Sequence, residues 1–404
     1  MKCTLFLFLL CTLCLPVSLQ GGHIVGVELY VSPSGSDENP GSLDRPFATL
    51  KRAQDEVRLH LAKGFQQDVQ VNLRAGIYSL RETLVLGLKD AASKGHFITW
   101  RGYEDEKAIL SSGVCLTDWM KLDHKLVGLS EEAARQIWIA DIPDGLGRIL
   151  TLYKGDTRLV RARTQGFSPD TDIHPRDNPS DALDWVTLHY PKGAVRNWPN
   201  LEDAELFILP SFPWWMNILS FASVDETKRV ARTTLPGTDS LSPMVKYARQ
   251  GFETNAWIEN VPEGFDSPGQ WMVNTVTRKI YYWPADGMPG EDIYAPALRE
   301  LIRVEGFNDQ EGDADRPVTG LRFFNLRFTQ ADVVSGMPTT QAYSMIGRCW
   351  TRTMPCCVFG VQKIAGWTGV TFIMQAAMPF AWIFMPRISP LRTASSTTWA
   401  SLRS

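Results

Sequence analysis

A chain of 404 residues that is 44% hydrophobic and 21% charged is too apolar to be disordered and long enough to build two or three domains. A net charge of −3 with no block of Lys and Arg excludes nucleic acid as the governing partner, because such binding needs a basic stripe that neutralises phosphates. The total conceals an uneven distribution: all 44 acidic residues lie at or before Asp332, leaving −9 over residues 1–332 and +6 over residues 333–404.

Residues 1–21 carry one Lys, an apolar run from Leu5 to Pro16, and small or polar residues before Gly21-Gly22. This is the layout of a secretory signal peptide, and the apolar run is too short to span a bilayer comfortably. The expected location is therefore secreted or extracytoplasmic, in the periplasm or at the cell surface, with no membrane association after cleavage. Cys3, Cys11 and Cys14 would leave with the signal, and Cys349, Cys356 and Cys357 lie beyond Asp332, so only Cys115 remains in the main body. A disulfide framework is excluded, and stability must come from a buried core.

Residues 22–116 begin with a predicted strand, Glu28 to Ser32, then a loop rich in Gly, Pro, Asn and Asp, then an amphipathic helix. Thr49 is its predicted N-cap, and Leu50, Ala53, Val57 and Leu61 fall on one face. Short β-rich runs follow: Val69 to Leu73, Thr83 to Leu86, Phe97 to Trp100 and Ala108 to Ser111, separated by turn signals such as Ala75-Gly76 and Arg101-Gly102. Spacings of roughly ten to fourteen residues, without a helix long enough for a crossover, fit solenoid coils or a sheet-rich sandwich, and periodicity alone does not separate the two. Residues 117–296 read as alternating strands and long polar loops, with strands expected at Arg148 to Arg163, Ala204 to Leu209, Asn217 to Val224 and Lys279 to Trp283. The hairpin-like Tyr153-Lys-Gly-Asp156 favours an antiparallel domain. Coil-like runs resume in 297–332, at Leu298 to Val304 and Gly320 to Thr329.

Tyr30-Val-Ser-Pro-Ser-Gly-Ser-Asp37 with Asn39-Pro-Gly41 and Pro46-Phe-Ala-Thr-Leu50 resembles the N-terminal cap of secreted right-handed parallel β-helix proteins of the pectate-lyase-like superfamily. Tyr153-Lys-Gly-Asp156 with Arg161-Ala-Arg163, Glu259-Asn260, Pro268-Gly-Gln-Trp271, Ile280-Tyr-Tyr-Trp-Pro284 and Leu321 to Thr329 narrow the resemblance to glycoside hydrolase family 141, bacterial enzymes acting on plant polysaccharides. It covers about residues 28–332. It implies an all-β fold: the first coils of a right-handed parallel β-helix with an N-terminal cap helix, plus an inserted antiparallel β-sandwich or barrel-like domain. It also implies a polysaccharide or oligosaccharide partner. Members carry their catalytic carboxylates on central coils beyond the stretch that matches here, so the catalytic residues are unassigned and little or no hydrolysis is expected of this chain.

At the acid frequency of the preceding residues, about nine or ten carboxylates would be expected in 333–404, which has none. A basic Trp-rich binding module, a divergent C-terminal cap and a shifted reading frame compete as explanations. In the frame that starts at the third base of each codon, Trp350-Thr351, Trp367-Thr368 and Trp382-Ile383 each become Asp. The absence of acids, with four Trp and six Met, fits that reading best and makes this an aberrant tail, disordered or frame-shifted.

Pro210-Ser-Phe-Pro-Trp-Trp-Met-Asn217 is a dense aromatic cluster, and Trp214 and Trp215 beside Asn217 suit a sugar platform, since indoles take the C–H faces of sugar rings and an amide reads hydroxyls. Packing of the two Trp into a core is the competing reading. Trp185 and His189 are candidates to join that cleft, and Asp332 is a candidate acceptor for a sugar hydroxyl, with ordinary core and turn roles as the alternatives. The acidic stretches Glu104-Asp105-Glu106 and Glu202-Asp203 read as loop-solvating charge. No His/Cys cluster has zinc spacing and no nucleotide fingerprint occurs, so neither a metal nor a cofactor is expected. A non-catalytic carbohydrate-binding or surface-adhesion module is the rival function.

Overall fold

A computed structural model describes residues 25–170, 185–209, 215–238, 240–243, 254–307, 316 and 318–332, together with three short strands at Ala342–Ser344, Val358–Phe359 and Phe372–Ile373. The expected signal segment, Trp214 and most of the acid-free tail lie outside the described residues. The described residues are mostly β-strand with few helices.

The first part contains β1 (Val25–Val31), α1 (Leu50–Ala62), β2 (Asp68–Leu73), β3 (Gly76–Ser79), β4 (Leu84–Leu86), β5 (Ile98–Gly102) and β6 (Ala108–Ser111). Helix α1 starts where the sequence expects it: the Thr49 hydroxyl accepts from the Arg52 N–H at 3.1 Å, while the Asp37 carboxylate receives the N–H groups of Ala48 and Thr49. Leu50, Ala53 and Val57 are buried against the core, with Leu61 packed at its margin. One feature of this helix was not legible: Gln54 is also buried, and with Arg58 it holds the buried Asp90 carboxylate, the Arg58 Nε and Nη2 donating at 2.8 Å each.

The middle part contains β7 (Gly113–Cys115), β8 (Met120–Lys121), α2 (Glu131–Gln136), β9 (Trp138–Asp141), β10 (Tyr153–Lys154), β11 (Thr157–Arg158), β12 (Val160–Arg161) and β13 (Thr187–His189). It continues through β14 (Glu205–Ile208), β15 (Trp215–Asp225), β16 (Val230–Thr233), β17 (Ala256–Glu259), β18 (Gln270–Asn274), β19 (Lys279–Tyr282) and β20 (Ile293–Pro296). One sheet runs β12-β18-β19-β9-β8 and another β13-β16-β15-β14-β17. Their pairings are antiparallel as expected, except that β12 runs parallel to β18. Alternation along β18 and β19 sends Trp271, Val273, Ile280 and Tyr282 into one cluster and Met272 and Tyr281 into another, so both faces of that sheet are covered. The stretch Arg148 to Arg163 forms three two-residue strands, with the expected hairpin at Tyr153 to Asp156, where Gly155 takes φ +55° and turns β10 back antiparallel onto β11.

The last part, β21 (Ile302–Val304), β22 (Leu321–Phe324) and β23 (Leu326–Thr329), returns to the strands of the first. Parallel pairing builds three ladders: β1-β2-β5-β22, β3-β6-β23 and β4-β21. Like side chains stack in register, Leu29 on Val71 on Trp100 on Phe323 in the first ladder and Tyr78 on Leu110 on Phe328 in the second. Each fully buried member of these stacks contributes about 1.5–3 kcal/mol of apolar burial. The coil-like run from Gly320 to Thr329 divides into two strands at Asn325, whose φ of +50° turns the chain from the first ladder to the second. Corners are tied across layers: Glu106 takes the Arg74 guanidinium and the Ala75 N–H, and the Asn325 amide donates to the Glu104 carbonyl at 2.9 Å. Gly102 is required at this stack, since a Cβ there would collide with the Asn325 carbonyl.

The two regions join at a narrow neck. Ser112 accepts from Ala297 through its carbonyl and from Leu298 through its hydroxyl, and donates that hydroxyl to the Gln330 carbonyl at 2.6 Å. Gln330, at φ +54°, spans the junction by donating to the Gly155 carbonyl.

Candidate functional site

Of the described candidates, Asn217 and Trp185 meet at one turn, while His189 and Asp332 lie elsewhere. Asn217 is 1% exposed; it pairs with Ile208 on the side of β15 that carries Leu219 and Phe221 into the core. Its Oδ1 accepts from the N–H and hydroxyl of Thr238 at 3.1 and 3.2 Å, so the amide holds a turn from within rather than facing solvent. Trp185 is half-buried and meets that same turn through its carbonyl, which accepts from Gly237. Trp215 opens β15. His189 pairs with Val230, which in turn faces Asp225 at the far end of β15 from Asn217. Eight residues of strand separate those ends, about 25 Å.

Asp332 is 7% exposed and sits at the neck. Its carboxylate accepts from the Thr151 hydroxyl at 2.7 Å and the Leu150 N–H at 3.2 Å, its own N–H reaches the Leu298 carbonyl, and Tyr153 donates to Ala331 beside it. These bonds engage both carboxylate oxygens in joining the two regions. Two stretches read as loop-solvating also prove structural. Glu106 clamps Arg74, and Asp203, 3% exposed, accepts from the N–H and hydroxyl of Thr275.

A different cluster emerges where the two middle sheets meet. Direct pairing of β14 with β17 sets Glu205 opposite Glu259, which brings their Cβ atoms to about 5 Å on one face of the sheet. Arg161 on β12 donates through Nη1 to Glu205 Oε2 at 2.7 Å and holds Nε 3.7 Å from Glu259 Oε2. Arg148 takes the other Glu205 oxygen at 3.0 Å and the Ser220 hydroxyl at 3.3 Å. Glu205 and Arg161 are almost fully buried, whereas Glu259 keeps 17% of its side chain exposed. Burial pushes the Glu259 carboxyl above its ordinary value, opposed by the Arg161 charge and by the Trp257 indole N–H, which donates to Oε1 at 3.1 Å.

On the same face Phe207 and Trp257 stack with centroids 5.4 Å apart and planes 15° from parallel. Arg163 approaches Trp257 from the opposite edge of β17, its guanidinium 5.1 Å from the ring centroid. Beside Arg148 a cleft of about 270 Å³ opens between Leu146, Glu202, Asp203, Thr275 and Arg278. Among the described residues no group of three or more His, Cys, Asp or Glu is arranged to hold a metal. The signal for this cluster was present in the sequence as an ionisable residue within each apolar strand, Glu205 in Glu-Leu-Phe-Ile and Glu259 in Ala-Trp-Ile-Glu, but only pairing reveals that they face each other.

No protein-family model matches the chain. Over 86 residues, 21% of this chain and 16% of the relative, it is 40% identical to the uncharacterized protein YwoF of Bacillus subtilis (strain 168). A solved glycoside hydrolase superposes with a TM-score of 0.57 at 24% identity, covering 76% of this chain and 51% of that one; the two share a fold. The chain thus spans about half the length of that glycoside hydrolase and a smaller part of the curated relative. The structure of XylC with xylose reaches a TM-score of only 0.26 at 13% identity, too low to bear on the fold.

Proposed function

We propose that the chain is the N-terminal portion of a secreted, carbohydrate-active protein. In this reading its three parallel ladders are the first coils of a right-handed parallel β-helix, resembling glycoside hydrolase family 141, with residues 117–296 as an inserted domain. The ligand is a plant-type polysaccharide or oligosaccharide, and export is directed by residues 1–21. The observation that carries the reading is the rotation of the chain through three parallel ladders in register, a geometry that fits the fold shared with a glycoside hydrolase.

Binding without hydrolysis is the activity that the geometry supports best. Glycoside hydrolysis needs two carboxyl groups flanking the scissile bond, about 5–10 Å apart. Glu205 and Glu259 meet that spacing, but Glu205 is 4% exposed and each of its oxygens is held by an arginine, so it does not reach a glycosidic carbon. Incubation with xylan and with fucosylated pectin oligosaccharides tests both halves of the proposal. Co-sedimentation with insoluble polysaccharide and no release of reducing ends is expected. Clear turnover by this chain would overturn the non-hydrolytic reading, and a failure to sediment with any polysaccharide would overturn the carbohydrate reading. The surface-adhesion alternative places binding at Trp214 and Trp215, so loss of sedimentation in Trp214→Ala plus Trp215→Ala would favour it.

A further inference from the structure

Arg161 is 9% exposed, yet of its side-chain nitrogens only Nη1 makes a hydrogen bond among the described residues; Nε and Nη2 have no such partner. A buried donor left unmade costs about 1–3 kcal/mol, more when charged, and native proteins rarely leave one without a use. Two residues along the same strand edge, Arg163 is exposed and rests on Trp257, with no ion pair among the described residues. Extended backbone places residues two apart on one face about 7 Å from each other. Both guanidinium groups therefore flank Glu259 from the side of β17 opposite Phe207.

We propose that Arg161, Arg163 and Glu259, walled by the Phe207–Trp257 ring stack, form a subsite for the carboxylate of an acidic sugar, a uronic acid unit within an oligosaccharide. This rests on the carbohydrate reading above and specifies its ligand. Exposure decides for an anion: Arg163 is the exposed charge of the group, while Glu205 is enclosed between Arg148 and Arg161 and most of Glu259 is buried. Guanidinium forks match a planar carboxylate, and Arg163 is the exposed member that meets the ligand first. The ring edges supply apolar contact for the sugar's C–H groups, while the exposed fringe of Glu259 meets its hydroxyls. Arg161 acts from behind this edge: its Nε and Nη2 are enclosed, so it contributes positive charge while the exposed Arg163 makes the contact.

Calorimetric titration of the full chain with a galacturonate tetramer, its methyl-esterified form and xylotetraose tests the subsite. Binding of the acidic tetramer about tenfold or more tighter than its ester is expected, with Arg163→Gln abolishing that preference. Arg163 is exposed, so its variant is expected to keep the wild-type circular dichroism and melting curve. Equal binding of acid and ester, or an unchanged preference in Arg163→Gln, would overturn the subsite while leaving the carbohydrate reading standing. Equally tight binding of a sulfated neutral tetramer would overturn the assignment to a carboxylate. If none of the sugars binds, both readings fail.

Discussion

In the parallel-ladder region, residues that meet across strands are alike, whereas between the two middle sheets they are opposite in charge. Leu29, Val71, Trp100 and Phe323 stack in register and could exchange sizes among themselves without changing the principle of the stack. Glu205 and Arg161 cannot be exchanged in this way, because each buried charge depends on particular partners of opposite sign, Glu205 on Arg148 and Arg161 and Arg161 on Glu205 and Glu259. The first region's buried ion pair, Arg58–Asp90, lies where α1 docks rather than between strands. Ladder stability is thus spread over repeats, while stability of the middle region concentrates at a few unique contacts.

Substitutions can break this contrast or sharpen it. Trp100→Ala and Trp271→Ala each remove a fully buried indole, one from each region, and each is expected to cost about 3–5 kcal/mol. Calorimetry then reads whether the regions melt together: separate cores joined at the neck are expected to give two transitions, with each variant lowering a different one. Arg161→Met leaves the buried Glu205 with Arg148 alone and is expected to cost about 3 kcal/mol or more, in the middle transition only, by urea titration. Arg58→Ala leaves Asp90 with Gln54 and the Gly87 N–H and is expected to cost about 2–3 kcal/mol in the ladder transition. Asp332→Ala removes two hydrogen bonds at the neck; a loss of about 1–3 kcal/mol and a wider separation of the transitions are expected, with sugar binding unchanged.

The smallest effect concerns pH. Glu259 faces Arg161, Arg163, Glu205 and the Trp257 indole, and burial raises its pKa above the unfolded value. The stability linked to a raised carboxyl is fully present below the unfolded pKa and is lost as pH rises through the folded one. Melting temperatures of Glu259→Gln relative to wild type are therefore expected to rise between acid and neutral pH. A flat difference would show that the arginines offset the burial.

Much of the ladder region was legible because its rules are local. The Thr49 cap, the buried stripe of α1 and the strands around Val71, Ile98 and Leu110 follow from capping chemistry and alternation. The turn at Asn325 was not, since a left-handed corner inside Gly320 to Thr329 depends on the layer beneath, where Gly102 makes room. In the middle region Asn217 is a candidate for reading sugar hydroxyls by its position beside two Trp, and strand register turns it inward. For Asp332, a candidate sugar acceptor with a turn role as the alternative, the neck partners Leu150 and Thr151 are not visible locally because they lie some 180 residues earlier in the chain. Glu205 and Glu259 escaped notice for the same reason: their relation exists only once β14 and β17 pair.

The central claim is that this chain engages carbohydrate, and native electrophoresis in gels cast with soluble xylan or pectin tests it most directly. Retardation that grows with polysaccharide concentration and saturates, relative to a gel without polysaccharide, is the expected result. Mobility unchanged by any polysaccharide at any concentration would contradict it.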